Sequence, residues 1–446
     1  MGRLFGTDGV RGVAGTDLTR DLAYRLGRTA VTVLGRHGAT QPPTFVVGRD
    51  TRESGEWLED ALTEGILDAG GDVLLAGIEP TPAIAFMTVD LEASSGVVIS
   101  ASHNPPADNG IKFFSRDGMK LPDHLEDEIE ADLTREGSPA TPRGGRSGVP
   151  EGPERYLRHL EATADARLDG MKIVVDCANG AASDVAPEVL RRLGADVIAM
   201  NAEPDGRNIN VGCGALHPDV VAAEVIRLGA DAGVTHDGDA DRALFADAEG
   251  AVIDGDQVLT ASALAMHERG SLKGDVVVGT VMSNLGLVNR MREAGIEFVQ
   301  APVGDRYVLE EMERRGAMLG GEQSGHVIFR EHATTGDGLL TAVRFLSLAA
   351  ANRVSVAELA GAMRRHPQVM INVPAPDRGA SLDGASLEQA IALAEAELGD
   401  GGRVLVRPSG TEPLIRVMVE SETEADSQRH AEALADAVRV ALGSSP

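Results

Sequence analysis

The stretch GVVISASHNP, at residues 96–105, indicates the fold class of this chain. Its apolar half, 96–100, predicts a buried strand, and a polar turn begins at the next residue. Short apolar runs upstream predict further strands, at 44–49 and 72–77. Segments with helical spacing lie around these strands, at 18–37, 57–69 and 82–89. This alternation of strands and helices predicts an α/β fold.

The alternation continues downstream and changes character once. A second α/β segment begins near Met171 and a third near Gln257, whereas the tail from Gln368 predicts a small antiparallel α+β unit. Residues 138–153 are rich in Gly, Pro and Arg, and we interpret them as a surface excursion or linker. We therefore predict three similar α/β domains with mixed sheets and a C-terminal α+β domain, at 1–153, 154–254, 255–367 and 368–446.

The net charge of the chain limits the kinds of molecule that it can bind. Its 446 residues include 69 acidic and 41 basic ones, which gives a formal net charge of −28. Such a surface repels a polyanion, so nucleic acid is not expected as a partner. A phosphorylated small molecule remains compatible, because salt screens distant charges beyond about 8 Å and a local arginine cluster then dominates.

The cysteines and the N-terminus bear on the cellular compartment. Cys177 and Cys213 show no spacing typical of disulfides or metal sites, which fits a reducing environment. The N-terminal residues lack an apolar signal core, and the chain has no apolar run of about 18 residues. We expect a cytoplasmic protein with no membrane partner. The sequence does not set the oligomeric state, and a homodimer is one option.

The turn after strand 96–100 is the first of five loops that could carry chemistry. Loops that follow apolar strands are where α/β proteins place functional residues. A substrate can reach Ser102 in this turn, and His103 and Asn104 can hydrogen-bond to an oxyanion. A turn serine that only helps the chain to reverse before Pro105 is the simpler alternative.

The second loop, DGDADR at 237–242, follows the apolar run AGVTH and places carboxylates at alternate positions. Oxygen ligands from three aspartates suit Mg²⁺, which often combines few carboxylates with phosphate oxygens. An EF-hand does not fit, because its required glycine would fall on Arg242. We predict a metal site formed by Asp237, Asp239 and Asp241. Arg242 would grip the same phosphate, and a solvated acidic turn is the alternative.

The third loop, RPSGTEP at 407–413, begins with Arg407 and is followed shortly by Arg416. The two arginines could add charge-assisted hydrogen bonds to a phosphate bound by backbone N–H groups and hydroxyls. The residues that would supply those groups are Ser409, Gly410 and Thr411. A hairpin turn with surface arginines explains the pattern equally well.

The last two loops are weaker signals. GEQSGH at 321–326 offers an acceptor, a hydroxyl and an imidazole that suit sugar hydroxyls or an amine, in Glu322, Ser324 and His326. GTDGVRG at 6–12 places Arg11 where it could face a phosphate, and a glycine-rich turn is an equal alternative.

Taken in order, these loops resemble those of the α-D-phosphohexomutase superfamily over essentially the whole chain. Within it, GTDGVRG, Gln323 in GEQSGH and GDRYV at 304–308 resemble the bacterial members that act on glucosamine phosphate. The resemblance implies a heart-shaped molecule with a central cleft, in which three α/β domains precede a C-terminal domain similar to the TATA-binding-protein fold.

The resemblance also implies a mutase that interconverts glucosamine 6-phosphate and glucosamine 1-phosphate, and so feeds UDP-N-acetylglucosamine and cell-wall synthesis. Ser102 would carry a phosphoryl group, and Mg²⁺ would bind the three aspartates and an oxygen of that phosphate. A sugar 1,6-bisphosphate would prime the enzyme. Glu322 and Ser324 would contact sugar hydroxyls, His326 would lie near the reacting hydroxyl, and the arginine loop would hold the phosphate that does not react.

Lys112, in GIKFF, is one of only four lysines in the chain. The resemblance implies a position beside the reacting phosphoryl group, where Lys112 would act with His103 and Arg11 in acid–base chemistry or charge stabilisation. A lysine desolvated near cations would have a lowered pKa. A surface position on an edge strand is the alternative.

Three other functions remain open at this point. One is a mutase that acts on glucose or mannose phosphate, and another is a metal-dependent phosphatase that releases phosphate to water. The third is a sensor that binds a sugar phosphate without catalysis. An intact Ser102 and an intact aspartate loop count against the sensor, which needs neither.

Overall fold

The structure, a computed structural model, describes residues 4–6, 8–38, 42–134, 142–376, 385–409 and 413–442. It divides into two compact units. The first unit comprises Met1–Met282 and Ile296–Ala362, and the second comprises Ser283–Gly295 and Met363–Pro446. Among the described helices, none combines the length and the apolar character needed to cross a lipid bilayer.

The first unit begins with a mixed sheet of six strands: β1 (Val10–Val13), β2 (Thr44–Arg49), β3 (Asp72–Ile78), β4 (Ser95–Ile99), β5 (Asp108–Ser115) and β6 (Arg146–Gly148). Their order is β1-β5-β4-β2-β3-β6, and β5 is antiparallel to both of its neighbours. Four helices accompany the sheet: α1 (Arg20–Arg36), α2 (Gly55–Asp68), α3 (Thr81–Asp90) and α4 (Asp123–Asp132). Helix α1 begins after Thr19, whose side chain caps it by accepting from the Leu22 N–H.

A second mixed sheet follows with five strands: β7 (Lys172–Asp176), β8 (Asp196–Met200), β9 (Ala232–His236), β10 (Ala243–Asp247) and β11 (Val252–Ile253). Their order is β11-β10-β9-β7-β8. The helices of this part of the chain are α5 (Gly152–Ala162), α6 (Ala182–Arg192) and α7 (Pro218–Leu228).

The third sheet has four strands: β12 (Val276–Thr280), β13 (Glu297–Ala301), β14 (Leu319–Gly321) and β15 (Val327–Phe329). Their order is β13-β12-β14-β15. The helices of this region are α8 (Gly255–Glu268), α9 (Leu285–Ala294), α10 (Asp305–Arg315), α11 (Gly338–Asn352) and α12 (Val356–Ala360). Helix α9 belongs to the second unit, although β12 and β13 on either side of it belong to the first.

The same feature recurs in the three sheets of the first unit. In each sheet, a strand with a parallel neighbour is followed directly by an antiparallel partner: β4 by β5, β9 by β10, and β14 by β15. The serine loop joins β4 to β5, the aspartate loop joins β9 to β10, and the GEQSGH loop joins β14 to β15. Each of the three loops therefore connects a strand to its antiparallel neighbour in the sheet.

The second unit contains an antiparallel sheet in the order β16-β18-β17, formed by β16 (Gln368–Pro374), β17 (Arg403–Pro408) and β18 (Leu414–Glu420). Two further helices pack with it, α13 (Ala385–Leu398) and α14 (Glu424–Ala441). The buried carboxylate of Glu420 accepts hydrogen bonds from Asn284 and Leu285 at the start of α9, and also from Gln368 and Arg403.

These sheets confirm the predicted fold class of three α/β regions with mixed sheets and a C-terminal α+β region. Each sheet lies inside one of the four predicted segments, whose boundaries themselves stay a prediction. Of the predicted surface excursion or linker at 138–153, residues 138–141 lie outside the described residues, and the linker alternative was wrong for part of the remainder. β6 pairs in parallel with β3 and α5 begins at Gly152, because backbone pairing at a sheet edge requires no apolar pattern.

Candidate active site

Ser102 lies in the loop between β4 and β5 and is 3% exposed. Its Oγ donates to Asp237 Oδ2 at 2.7 Å, although the two residues lie 135 positions apart in the chain. Ser102 has a φ of 49°, in the left-handed region that residues with a side chain seldom adopt. Such strain persists only where the surroundings enforce it, and it concentrates at functional sites.

A buried guanidinium enforces this loop conformation. The Arg52 side chain donates to the carbonyl oxygens of Ser102 and Asn104 at 2.9 Å each, and also to that of Pro105. Asp50 pairs with Arg52 at 2.8 Å, and both side chains are fully buried. Burial raises the pKa of Asp50, and the charge of Arg52 opposes this rise. The pair therefore fixes the backbone that presents Ser102.

The three predicted metal ligands converge. Carboxylate oxygens of Asp237, Asp239 and Asp241 lie within 4.8 Å of one another, and all three residues are buried. Thr81 Oγ1 donates to Asp239 Oδ2 at 2.6 Å, which holds this loop on the start of α3. In the described part of the chain, Asp239 Oδ1 and Asp241 Oδ1 accept no hydrogen bond. Carboxylate oxygens are ligands that Mg²⁺ prefers, and these two accept no competing hydrogen bond.

The pKa values of the three aspartates are also in keeping with a cation site. Burial, with the charge of Asp241 added, raises the pKa of Asp237 to about 6. The same two causes, with Asp237 as a further contributor, raise the pKa of Asp239 well above its usual range. Burial would raise the pKa of Asp241 too, but His326, Arg242 and Lys112 outweigh it and hold that pKa low. A divalent cation would let all three carboxyls ionise together.

The aspartate loop approaches the serine loop through a glycine. A Cβ atom at Gly238 would lie 2.6 Å from the carbonyl oxygen of Ser102, which is closer than contact allows. Asn210 donates to the same carbonyl at 2.9 Å. A side chain at position 238 would therefore separate Ser102 from the three aspartates.

Lys112 lies on β5 and faces a carboxylate rather than solvent. Its Nζ is 2.7 Å from Asp8 Oδ1, and Asp8 also pairs with Arg11. Burial alone would lower the pKa of Lys112, but the charges of Asp8, Asp305 and Asp241 raise it above its usual value. The expectation of a lowered pKa was therefore wrong, because carboxylates outnumber the cations around this lysine. The edge-strand alternative was wrong as well, since β5 lies between β1 and β4 and Lys112 is 7% exposed.

Two histidines flank these groups. His103 Nδ1 lies 3.3 Å from Ser102 Oγ. Burial and the charges of Arg242 and Arg11 lower the pKa of His103 to about 4, so its ring is neutral at pH 7. Burial would lower the pKa of His326, but the charge of Asp241, whose Oδ2 lies 3.4 Å from His326 Nδ1, raises it to about 9.

The GEQSGH loop packs against the aspartate loop. The Ala243 N–H donates to the Gly325 carbonyl at 3.1 Å. Glu322 Oε1 accepts from the Gly304 N–H at 3.0 Å, and no described residue bonds to the buried Ser324 Oγ. Glu322 also adds to the negative charge that raises the pKa of Arg242. The loop thus brings a carboxylate and an unused hydroxyl to the surroundings of the aspartates.

The arginine loop lies in the second unit. Arg407 on β17 and Arg416 on β18 are direct cross-strand partners. Burial and the charge of Arg416 lower the pKa of Arg407. Ser409 is buried and its N–H donates to the Leu414 carbonyl at 2.8 Å, whereas Gly410 and Thr411 lie outside the described residues. Like charges directly opposite each other destabilise a sheet, so this pair suits a bound anion.

The structure therefore brings together the predicted site residues of the first unit, while their roles stay predictions. The sequence reasoning missed four residues that hold the site: Asp8, Asp50, Arg52 and Thr81. Asp50 and Arg52 follow β2 directly, so the rule that found the other loops could have found them too. His236 beside the aspartate loop is fully buried, and its Nδ1 bonds to the Arg242 carbonyl at 2.9 Å.

Comparison with known domain families accounts for nearly the whole chain. Residues 2–140, 154–250 and 254–366 match the phosphoglucomutase/phosphomannomutase alpha/beta/alpha domains I, II and III. Residues 370–437 match the phosphoglucomutase/phosphomannomutase C-terminal domain.

Individual relatives agree with these matches. The chain is 53% identical over 442 residues to a phosphoglucosamine mutase of Thermobifida fusca, covering 98% of both chains. It is 54% identical to one from Acidothermus cellulolyticus, covering 99% of this chain and 96% of the relative.

Solved structures share the fold. A phosphoglucomutase/phosphomannomutase family protein from Burkholderia thailandensis has a TM-score of 0.83 at 25% identity, covering 98% of this chain and 97% of its own. An Aspergillus fumigatus N-acetylphosphoglucosamine mutase, solved with GlcNAc-6P and magnesium, has a TM-score of 0.71 at 17% identity, with coverages of 98% and 96%. From its domains, its relatives and its loops, the chain belongs to the α-D-phosphohexomutase superfamily, alongside the bacterial phosphoglucosamine mutases.

Proposed function

We propose that this chain is a phosphoglucosamine mutase, which interconverts glucosamine 6-phosphate and glucosamine 1-phosphate through a phosphorylated Ser102. The placement of Ser102 carries the proposal, because its Oγ lies 2.7 Å from Asp237 within a buried triad of aspartates. The phosphoglucosamine mutases that share 53% identity with nearly the full chain favour glucosamine phosphate as the substrate.

The reaction has two half-reactions. In the first, a sugar hydroxyl attacks the phosphorus on Ser102, so that a P–O bond to the sugar forms as the bond to Oγ breaks. The proton of that hydroxyl passes to a base in the site. The sugar bisphosphate then binds in the opposite orientation, and Ser102 Oγ gives up its proton to the base and attacks the other phosphorus. The bond from that phosphorus to the sugar oxygen breaks, and the sugar oxygen takes up a proton from the site. The phosphate has then moved between O6 and O1, and the phosphoserine is restored.

The groups around Ser102 have different roles in the reaction. His103 is neutral at pH 7 and lies 3.3 Å from Ser102 Oγ, so it can accept a proton there. Lys112 and Arg11 remain charged and stabilise the negative oxygens of the transferring group. Glu322 and Ser324 contact sugar hydroxyls that both orientations share, and His326 lies near the reacting hydroxyl.

Members of this family generally use Mg²⁺, and the buried triad fits a metal site. Asp237, Asp239 and Asp241, with an oxygen of the phosphoserine, would hold the ion. When bound, Mg²⁺ neutralises charge on the transferring phosphoryl group. Arg242 would grip the same phosphoryl oxygens from the other end of the aspartate loop.

The second unit supplies a separate anion site. Arg407, Arg416 and Ser409, with Gly410 and Thr411, hold the phosphate that does not react. Because that phosphate and the reacting one are recognised by different residues, the same site accepts the sugar in either orientation. A sugar 1,6-bisphosphate primes enzyme that has lost its phosphoryl group.

We further propose a cytoplasmic location, in keeping with two free and buried cysteines, and cell fractionation tests it. A homodimer stays an expectation, which sedimentation velocity tests. The ligand is a small sugar phosphate, as in the named relatives.

The test is a coupled assay with Mg²⁺ and a trace of glucose 1,6-bisphosphate. It compares glucosamine 6-phosphate, glucose 6-phosphate and mannose 6-phosphate for the wild type, Ser102→Ala and the control Ser147→Ala, which removes an exposed hydroxyl from β6. We expect the wild type and the control to prefer glucosamine 6-phosphate, and Ser102→Ala to lose at least about 1,000-fold in kcat.

Each other outcome rejects a defined part of the proposal. Preference for glucose or mannose phosphate would keep the chemistry and overturn the substrate. Release of inorganic phosphate without isomerisation would identify a phosphatase. Full activity of Ser102→Ala would exclude the phosphoserine route.

A further inference from the structure

Asp305 is a carboxylate beside the catalytic groups that the reaction above does not use. It is the first residue of α10 and follows Gly304, whose φ of 131° turns the chain into the helix. Asp305 Oδ2 lies 4.0 Å from Lys112 Nζ, and its side chain is 28% exposed. The residue is therefore near the site and still open to a ligand.

Lys112 does not need Asp305 as its counter-ion. Asp8 already pairs with Lys112 at 2.7 Å, with its side chain 21% exposed. The distance from Lys112 to Asp305 is 1.3 Å longer than this contact (4.0 Å against 2.7 Å). Asp305 is thus the more distant of the two carboxylates that pair with the Lys112 ammonium group, and its exposed part can accept a hydrogen bond from another donor.

The same turn positions a residue of the GEQSGH loop. The Gly304 N–H, one residue before Asp305, donates to Glu322 Oε1 at 3.0 Å. Asp305 also contributes to the negative charge around His326 of that loop. The carboxylate of Asp305 is therefore near both Lys112 and the GEQSGH loop, the groups that the proposed function assigns to the reacting phosphoryl group and the sugar.

A carboxylate in this position is unfavourable for most sugar phosphates. The substrate brings phosphate charges into the site, and another anion nearby repels them. Glucosamine phosphate differs from glucose phosphate in one respect that reverses this effect, since its C2 substituent is an ammonium group. A carboxylate that accepts charge-assisted hydrogen bonds from that ammonium favours one sugar and disfavours the others.

We propose that Asp305 recognises the C2 ammonium group of glucosamine phosphate and sets the preference for the amino sugar. This inference rests on the proposed function. A neutral hydroxyl at C2 leaves the carboxylate with a weaker partner, and an N-acetyl group keeps the nitrogen but removes its charge. Both of these C2 groups lack the positive charge that pairs with the carboxylate, which is the basis of discrimination.

The experiment measures kcat/KM for glucosamine 6-phosphate, glucose 6-phosphate and N-acetylglucosamine 6-phosphate. The variants are Asp305→Asn, which is nearly isosteric, and Asp305→Glu, which keeps the charge. The matched control is Glu310→Gln, which removes a carboxylate paired with Arg306 farther along α10. We expect Asp305→Asn to lower the ratio of kcat/KM for glucosamine 6-phosphate to kcat/KM for glucose 6-phosphate about tenfold or more. Asp305→Glu retains part of the preference, and Glu310→Gln leaves it unchanged.

The possible outcomes separate this inference from the function on which it rests. An equal loss on all three sugars in Asp305→Asn would show that the residue only positions Lys112, and would overturn the inference. An unchanged ratio would overturn it too. If the wild type itself prefers glucose 6-phosphate, the proposed function fails on its substrate, and the inference fails with it.

Discussion

The serine loop and the arginine strand pair both handle phosphate in the proposed reaction, but they are built in opposite ways. Around Ser102, every charge that supports the backbone is buried and paired, as Asp50 and Arg52 are. On β17 and β18, Arg407 and Arg416 face each other with like charge. The first arrangement pairs its charges within the protein, whereas the second places two guanidinium groups on adjacent strands, where both can donate to one anion.

This difference corresponds to two tasks. A group that donates a phosphoryl must keep its geometry through both half-reactions, which buried and fully bonded supports achieve. A group that only holds a phosphate gains affinity from charge-assisted hydrogen bonds, which two neighbouring arginines can provide. Substitutions in the serine loop should therefore affect kcat, and substitutions in the arginine pair should affect KM.

The largest expected effect comes from removing the buried guanidinium. Arg52→Met leaves Asp50 uncompensated and removes one donor from several loop carbonyls, so we expect a loss of about 3–5 kcal/mol in unfolding free energy. Because the Ser102 backbone then relaxes, kcat should fall about 100-fold or more. Thermal unfolding and the coupled assay measure the two effects.

A double variant separates stability from geometry in this prediction. Asp50→Asn combined with Arg52→Met removes both buried charges and should recover much of the stability without recovering kcat. If Arg52→Met alone retained full kcat, the serine loop would not depend on this guanidinium, and the contrast between the two regions would be lost.

A smaller effect is expected in the arginine pair. Arg416→Ala removes one charge-assisted partner of the phosphate, so KM should rise about tenfold while kcat changes less. Arg429→Ala, on the exposed face of α14, is the matched loss of charge in the same unit. A fall in kcat without a change in KM would contradict the division of tasks proposed above.

The smallest effect on catalysis is expected from a change that concerns stability alone and tests whether a buried carboxyl needs a partner. Glu79, just before α3, is 1% exposed, and neither carboxylate oxygen accepts a hydrogen bond from the described residues. Burial, with a contribution from Asp184, raises its pKa from 4.5 to about 8. From about pH 5 to pH 8 the unfolded chain is ionised at this position and the folded chain is not, so stability falls as the pH rises.

Glu79→Gln removes that dependence. Its gain in stability should be small near pH 5, grow to roughly 4 kcal/mol near pH 8 and then level off, with no change in kcat. Melting curves at several pH values measure the gain, and Glu249→Gln at an exposed position is the control. Equal melting temperatures for Glu79→Gln and the wild type at every pH would show that the buried acid is compensated.

The sequence was sufficient where a local pattern determines the structure. The predicted strand 96–100 is observed as β4, Ser95–Ile99, because five buried positions in a row leave an apolar signature. The aspartates at alternate positions also converge as predicted, since one short loop carries all three. Fold class and loop positions were therefore predictable from local pattern.

Other features depend on residues that are distant in the chain. The sign of the pKa shift of Lys112 is set by Asp8 and Asp305, which reach it through folding and not through spacing. The three residues of β6 carry no strand pattern, and their place is set by β3. The Asp50–Arg52 pair was identifiable as a polar turn after a strand, but its full burial was not.

Helix α9 has a consequence for how the second unit is assembled. The N–H of Leu285, its first residue, donates to the buried carboxylate of Glu420. In sequence, residues 296–362 of the first unit lie between α9 and Glu420. During synthesis α9 emerges well before β18. The hydrogen bonds between the start of α9 and Glu420 join residues far apart in sequence, so they form only after the last part of the chain has been made. A fragment that begins at residue 363 would lack Asn284 and Leu285 and leave Glu420 with two of its four donors missing. Dissection of the second unit as an independent fragment therefore requires α9 to be grafted onto it.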